Sequence, residues 1–226
     1  MSDYKLYKSV HLGAGVAIGE YSSIGRPTRA SRYSDTFQKR AKRPNAKKTI
    51  VSRHCYVGTH VLIEEGAYIG ETSVIESHVI IETNAVIGKR CFIVHRAMIC
   101  SDTNIGEDCV IGGVVGERSI IGNRCRVLGN LLHGQHDPSI PWDDAIEVAP
   151  QLEDDVFVGM GAFVIGSVHL AHHTYITAGT ILTKSVPSYH VAYGHNMVIP
   201  VSKWRGSLAK SKFWGYDIKR KSNHKT

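Results

Sequence analysis

The chain has 226 residues, 42% of them hydrophobic and 21% charged, and a formal net charge of +7. That length suits one substantial core, and no stretch approaches the roughly 20 apolar residues that cross a bilayer as a helix. Five cysteines, an odd number with no CxxC pair, argue against a disulfide framework or a zinc ribbon.

Taken in order, the chain opens on Met-Ser-Asp-Tyr-Lys with no apolar segment of leader length, so a cytoplasmic location is expected. Aliphatic residues then recur six apart at Leu12, Ile18 and Ile24. A polar, basic segment, 26–49, interrupts them; Arg29, Arg32, Lys39, Arg40, Lys42 and Arg43 fall in it. The step resumes without a miss at Val57, Ile63, Ile69, Ile75, Ile81, Ile87, Ile93, Ile99, Ile105 and Ile111, and again at Val115, Ile121 and Val127. A second break, 128–155, contains Pro138, Pro141 and Pro150. The step returns at Val158, Val164, Leu170, Ile176 and Leu182, and is lost after Pro187. The segment 188–226 is basic and aromatic, with a short helix expected near 202–213.

A period of six matches neither a helix at 3.6 nor a continuous strand at 2, so each hexad counts one short strand plus one corner. Three such units close a triangular coil, and the repeat predicts an all-β parallel β-helix of about seven coils over residues 1–187, with loops at 26–49 and 128–155. The residue after the aliphatic one is often glycine, as at Gly58, Gly70, Gly88 and Gly106, which suits a tight corner without a Cβ. Two positions before it the residue is small. Cys55, Cys91, Cys109 and Cys125 fall there and read as inward-facing packing residues, with Cys100 unassigned.

The run from Asp155 to Pro187, DVFVGMGAFVIGSVHLAHHTYITAGTILTKSVP, resembles the last coils of the hexapeptide-repeat acetyltransferases. These include the galactoside and maltose O-acetyltransferases, the xenobiotic acetyltransferases and those of surface-polysaccharide synthesis. Similarity of pattern extends from about residue 10 to 187 and is most specific from about 130 onward. The resemblance implies a left-handed β-helix, a homotrimer with active sites between subunits, and acetyl-CoA as cosubstrate.

In that family a catalytic histidine opens the excursion before the final coils, and the matching residue is His136 in His-Gly-Gln-His-Asp-Pro-Ser-Ile-Pro. Independently of the resemblance, acyl transfer from a thioester to an alcohol or amine needs a base near neutral pH, which imidazole supplies. His133 is the competing histidine, and Trp142 is a candidate wall of the acceptor pocket. Carried over by resemblance, acetyl-CoA contacts fall on Met160, Ala178, Thr183 and Lys184. A backbone N–H near Met160 and Gly161 would meet the oxyanion, and Ala178 and Gly179 are small where the pantetheine arm passes. Relatives often carry arginine after the closing segment; here Gly-His-Asn-Met-Val-Ile-Pro stands there, so Lys203 or Arg205 would meet the 3′-phosphate.

Two other readings compete. The β-helix also houses γ-class carbonic anhydrases, and His60 and His78, 18 residues apart, share a corner of successive coils, but no His-x4-His occurs within the coils and no metal is expected. A non-enzymatic basic scaffold would rest on charge alone, without the interleaved aromatic and basic residues that grip nucleic acid. The acceptor expected is a sugar or sugar-containing molecule, and no nucleic acid or membrane span is expected.

Overall fold

In a computed structural model of the chain, residues 3–27, 48–134, 139 and 148–214 are described. Every strand but the last is parallel, and from Lys5–Leu6 to Ile181–Leu182 each pairs with strands three places away in the chain, so three sheets form the faces of a prism. The first face has nine strands from Lys5–Leu6 to Ile181–Leu182, and the second has eight from Val10–Leu12 to His169–Leu170. The third has ten, from Ala17–Ile18 through Tyr175–Ile176 and His190–Tyr193 to Met197–Pro200. Ile81 pairs with Ile63 before it and Ile99 after it, which sets the coil at 18 residues. The fold is the left-handed parallel β-helix expected. Among the described residues no helix is long and apolar enough to cross a membrane.

The hexad aliphatics fill the prism. Ile63, Ile69, Ile75, Ile81, Ile87 and Ile93 are fully buried, each contributing about 1.5–3 kcal/mol of transfer free energy. The small residues line an inner corner as a ladder of donors. The Cys55 thiol reaches the Gly70 carbonyl at 3.0 Å, the Ser73 hydroxyl Gly88 at 3.0 Å, the Cys91 thiol Gly106 at 3.1 Å and the Cys109 thiol Gly122 at 3.1 Å. A hydrogen bond with Cys125, with burial added, holds the Cys109 thiol at about 12, and burial does the same for Cys100. None of these thiols is a nucleophile at neutral pH.

The corner glycines have a different reason from the one expected. Gly70, Gly88 and Gly106 have ordinary dihedrals; the left-handed position falls two residues later, on Thr72, Arg90 and Asp108, with φ of 57°, 56° and 59°. What excludes a side chain at Gly88 is the next coil: a Cβ there would stand 2.5 Å from the Gly106 carbonyl oxygen. The glycines mark where coils touch, not where they turn.

Three boundaries also differ. The strands Asn130–Leu132 and Gln151–Leu152 lie inside the second break and pair with their neighbours above and below, so both belong to the coils. Beyond Pro187, His190–Tyr193 adds another parallel strand before the chain reverses into Met197–Pro200. The expected helix is instead two 3₁₀ turns, Val201–Lys203 and Lys212–Trp214. This extension packs Trp214, Trp204, Leu208 and Phe213 against Phe157, Tyr175 and Val191 on the outside of the third face.

Two corners carry contrasting side chains. Between the second and third faces run ion pairs: Arg53 with Glu71 (3.1 Å), Arg90 with Asp108 (2.7 Å) and Arg124 with Asp155 (2.7 Å). Between the third and first faces runs a column of rings, Tyr21, His60, His78 and His95, with centroids 5.0, 5.0 and 5.3 Å apart. Desolvation and then the neighbouring His95, His60 and Arg96 hold His78 below its ordinary imidazole value. Unfolded chain therefore takes up this proton first, so stability is whole above about pH 6.5 and declines as the pH falls through the folded value.

Melting temperature measured from pH 7.5 down to 5 should fall on the acid side, and His78→Gln should show a smaller fall than the parent; an equal fall would show that the column contributes nothing. Gly88→Ala should cost at least about 2 kcal/mol in denaturant unfolding, since the colliding atom is backbone. Thr72→Gly should instead raise stability by up to about 1 kcal/mol, because a β-branched residue is poorly suited to a left-handed dihedral.

Candidate active site

Both long breaks fall at one corner, between the first and second faces. The first follows Ser23–Arg26, and the second follows Asn130–Leu132, five strands along the same sheet. At the second exit the stems are clasped, the Gly134 N–H donating to the Val148 carbonyl at 3.2 Å and the Gly166 N–H to Leu132 at 2.8 Å. His133 sits at this root, half-buried, directly after a strand fixed by pairing with Phe163–Ile165. His136 and Trp142 lie outside the described residues, as does most of the basic segment 26–49.

Four of the expected cosubstrate contacts come together on the corner between the third and first faces. Met160 is 71% exposed there. Gly161 and Gly179 have φ of 68° and 69°, and a Cβ on either would meet nothing within 4 Å, so both present open backbone to solvent. The Gly179 N–H donates to the Met160 carbonyl at 3.0 Å, and Ala178 is exposed beside it. Thr183 and Lys184 stand at the opposite edge of the first face, beyond Ile181–Leu182. The Thr183 backbone and hydroxyl are engaged by Asn196, at 2.8 and 2.9 Å, while Lys184 is exposed. Of the two cations expected near a 3′-phosphate, Lys203 is exposed, and Arg205 donates to the carbonyls of Ser202 (2.8 Å) and Trp204 (3.0 Å). Among the described residues no group of three His, Cys, Asp or Glu could hold a metal ion.

The feature not read from the sequence is a recess on the Met160 corner. From Ile111 to Val115, and from Val127 to Leu131, the core aliphatics are four residues apart rather than six. Hydrogen bonding identifies what is missing. Met98 donates to Gly113 as Ile80 donates to Ala97, and Gly112 donates to Val127 as Val94 donates to Ile111. Gly112 and Gly113 therefore stand where Val94 and Ala97 stand one coil earlier, and the protruding pair equivalent to His95 and Arg96 is absent; Leu128 and Gly129 repeat this in the next coil.

The shortening has an electrostatic effect. At full corners the third residue donates its N–H to the carbonyl one coil below: His78 to Thr59 at 3.0 Å, Arg96 to Ser77 at 3.2 Å, Gly179 to Met160 at 3.0 Å. Gly161 sits above a shortened corner, and its N–H makes no hydrogen bond among the described residues. An N–H without a backbone partner, at an exposed glycine, is a donor available to an incoming anion. The spacing of four and the Gly112-Gly113 and Leu128-Gly129 pairs were the sequence signals of this recess.

Residues 57–186, more than half of the chain, match the family model of the GMPPB C-terminal domain. No curated protein sequence matches the chain. Among solved structures it is similar to the UDP-N-acetylglucosamine acyltransferase of Francisella novicida, at 18% identity over 86% of this chain and 66% of that one, with a TM-score of 0.47. The chain thus spans just under two thirds of that enzyme. It is also similar to the UDP-N-acetylglucosamine O-acyltransferase of Moraxella catarrhalis, at 14% identity over 98% of this chain and 84% of that one, with a TM-score of 0.46. A third is PerB of Caulobacter crescentus, in complex with CoA and GDP-perosamine, at 16% identity over 85% and 55%, with a TM-score of 0.28. With that model matched over more than half of its length, the chain belongs to the GMPPB C-terminal domain family, of the hexapeptide-repeat left-handed β-helix type.

Proposed function

We propose that the chain is an acetyltransferase that moves the acetyl group of acetyl-CoA onto a hydroxyl or amino group of a sugar or sugar-containing acceptor. The observation that carries this reading is the open edge at Met160, Gly161, Ala178 and Gly179, where two exposed glycines present bare backbone and the Gly161 N–H is released from the coil ladder. A slender thioester arm lies along such an edge because no side chain obstructs it. The Gly161 N–H is a donor for the oxygen that becomes negative as the carbonyl carbon is attacked.

The transfer needs one proton shuttle. The imidazole of His136 takes the proton as the acceptor oxygen or nitrogen bonds to the thioester carbonyl carbon; the tetrahedral intermediate then expels the CoA thiolate, which recovers the proton from the imidazolium. His133, at the root of the same loop, lies beside the acceptor, and Trp142 supplies an apolar wall. No acyl-enzyme forms, in keeping with the raised thiol pKa values of Cys55, Cys91, Cys100 and Cys109.

Within one chain the loop root and the Met160 edge occupy opposite edges of the first face. A homotrimer, in which the loop of one subunit meets the edge of the next, brings the base to the thioester, and the cytoplasm supplies acetyl-CoA. Lys184, with Lys203 or Arg205, would meet the cosubstrate phosphates.

The test is thiol release from acetyl-CoA across sugars, amino sugars and nucleotide sugars. The parent should turn over at least one of them, and His136→Ala should be slower by about 10²- to 10⁴-fold. His133→Ala should raise KM with kcat largely retained. A His136→Ala variant as fast as the parent would remove the base assignment, and no thiol release with any acceptor would favour a binding scaffold. Sedimentation should give a trimer, and a monomer with full turnover would overturn the shared site.

A further inference from the structure

The recess and the ring column meet, and their meeting defines a second binding site. The column of Tyr21, His60, His78 and His95 rises at about one ring per coil and stops at His95, because the next two coils lack the protruding pair. One face of the His95 imidazole therefore looks into the recess, and His95 is exposed. Its position is fixed from below, its backbone N–H donating to the Glu76 carboxylate at 2.8 Å. The far wall is Met160 and Gly161, three coil spacings away, or about 14 Å. The floor is apolar, formed by Val94, Leu128 and the backbone of Gly112, where a Cβ would already stand 3.4 Å from Val94.

Arg96 adds charge. Arginines of the ion-pair corner are each matched with a carboxylate, but Arg96, exposed at the rim of the recess, has no such partner among the described residues. A planar ring over an apolar floor, beside an unmatched guanidinium, suits a ligand with a flat heterocycle at one end and a phosphate close by. Aromatic faces take bases of any sequence by stacking, and a guanidinium takes phosphate oxygens in pairs.

We propose that this recess binds a nucleoside phosphate, its base stacked on His95 and its phosphate held by Arg96. The ligand is either a free or sugar-linked nucleotide or the adenosine phosphate end of CoA itself. The inference stands on the column and the recess and not on acetyl transfer, so binding and thiol release fail separately.

The experiment titrates AMP, UMP, ribose 5-phosphate and inorganic phosphate into the full chain by calorimetry, with melting temperature as a check on folding. Both nucleotides should bind saturably and at least about tenfold more tightly than ribose 5-phosphate. His95→Ala should weaken them by about tenfold while His95→Phe restores them. Arg96→Gln should weaken the nucleotides and leave uridine and adenosine unchanged. Repeating the titration in saturating CoA separates the sources: displacement assigns the recess to the cosubstrate, and retention assigns it to a second nucleotide. Nucleotides binding no better than ribose 5-phosphate, or as tightly to His95→Ala as to the parent, would overturn the proposal.

Discussion

Every feature of this molecule depends on one constraint, that each coil lies on the one beneath it at a single strand spacing. Backbone N–H groups along all three faces and at the corners find their carbonyls one coil away, and isoleucine stacks on isoleucine inside. The spacing leaves so little room at Gly70, Gly88 and Gly106 that one methyl group would meet backbone. It also converts any residue pattern repeating at 18 into a column on the surface. The arginine and carboxylate pairs on one corner and the imidazoles on another are results of the same registration. Their energies differ, however: exposed ion pairs contribute about 0–1 kcal/mol each, whereas the interior supplies the bulk of stability.

Because the ladder is so regular, a small deletion has a defined consequence. Removing two residues from a corner leaves the core aliphatics in place, as the pairing of Val115 with Leu131 shows, but withdraws the outermost part of the coil. The rims of that gap then carry groups that elsewhere satisfy one another: an imidazole face and a guanidinium on one side, a glycine N–H on the other. Chemistry enters this scaffold by subtraction at one corner and by insertion at another, with the hydrophobic interior undisturbed by either.

The hexad step was legible because it reports on burial, and burial of Ile63 through Ile111 is set by the chain locally. The small inner residues were legible for the same reason. The glycine role was misread since it depends on a neighbouring coil 18 residues away, which local turn rules do not address. Leu131 and Leu152 escaped because shortened corners and an excursion shift their phase, although both are as buried as their counted neighbours. His136, read from the resemblance and the need for a base, and Trp142, read from its place in the loop, lie outside the described residues. Met160, Gly161, Ala178 and Gly179 were likewise carried over, yet their exposure and the unused N–H follow from the coil geometry itself.

The reversal at the end of the third face has a consequence for how the molecule behaves in a crowded solution. A stack of parallel coils exposes, at its last turn, unpaired backbone that invites another stack to continue it, which is the beginning of a fibre. Met197–Pro200 runs the opposite way to every strand below it and ends in proline, so this sheet offers no template of matching direction. The aromatic extension then folds over the outside of the same face. A fold whose repetitive nature favours endless growth is thereby given a terminus.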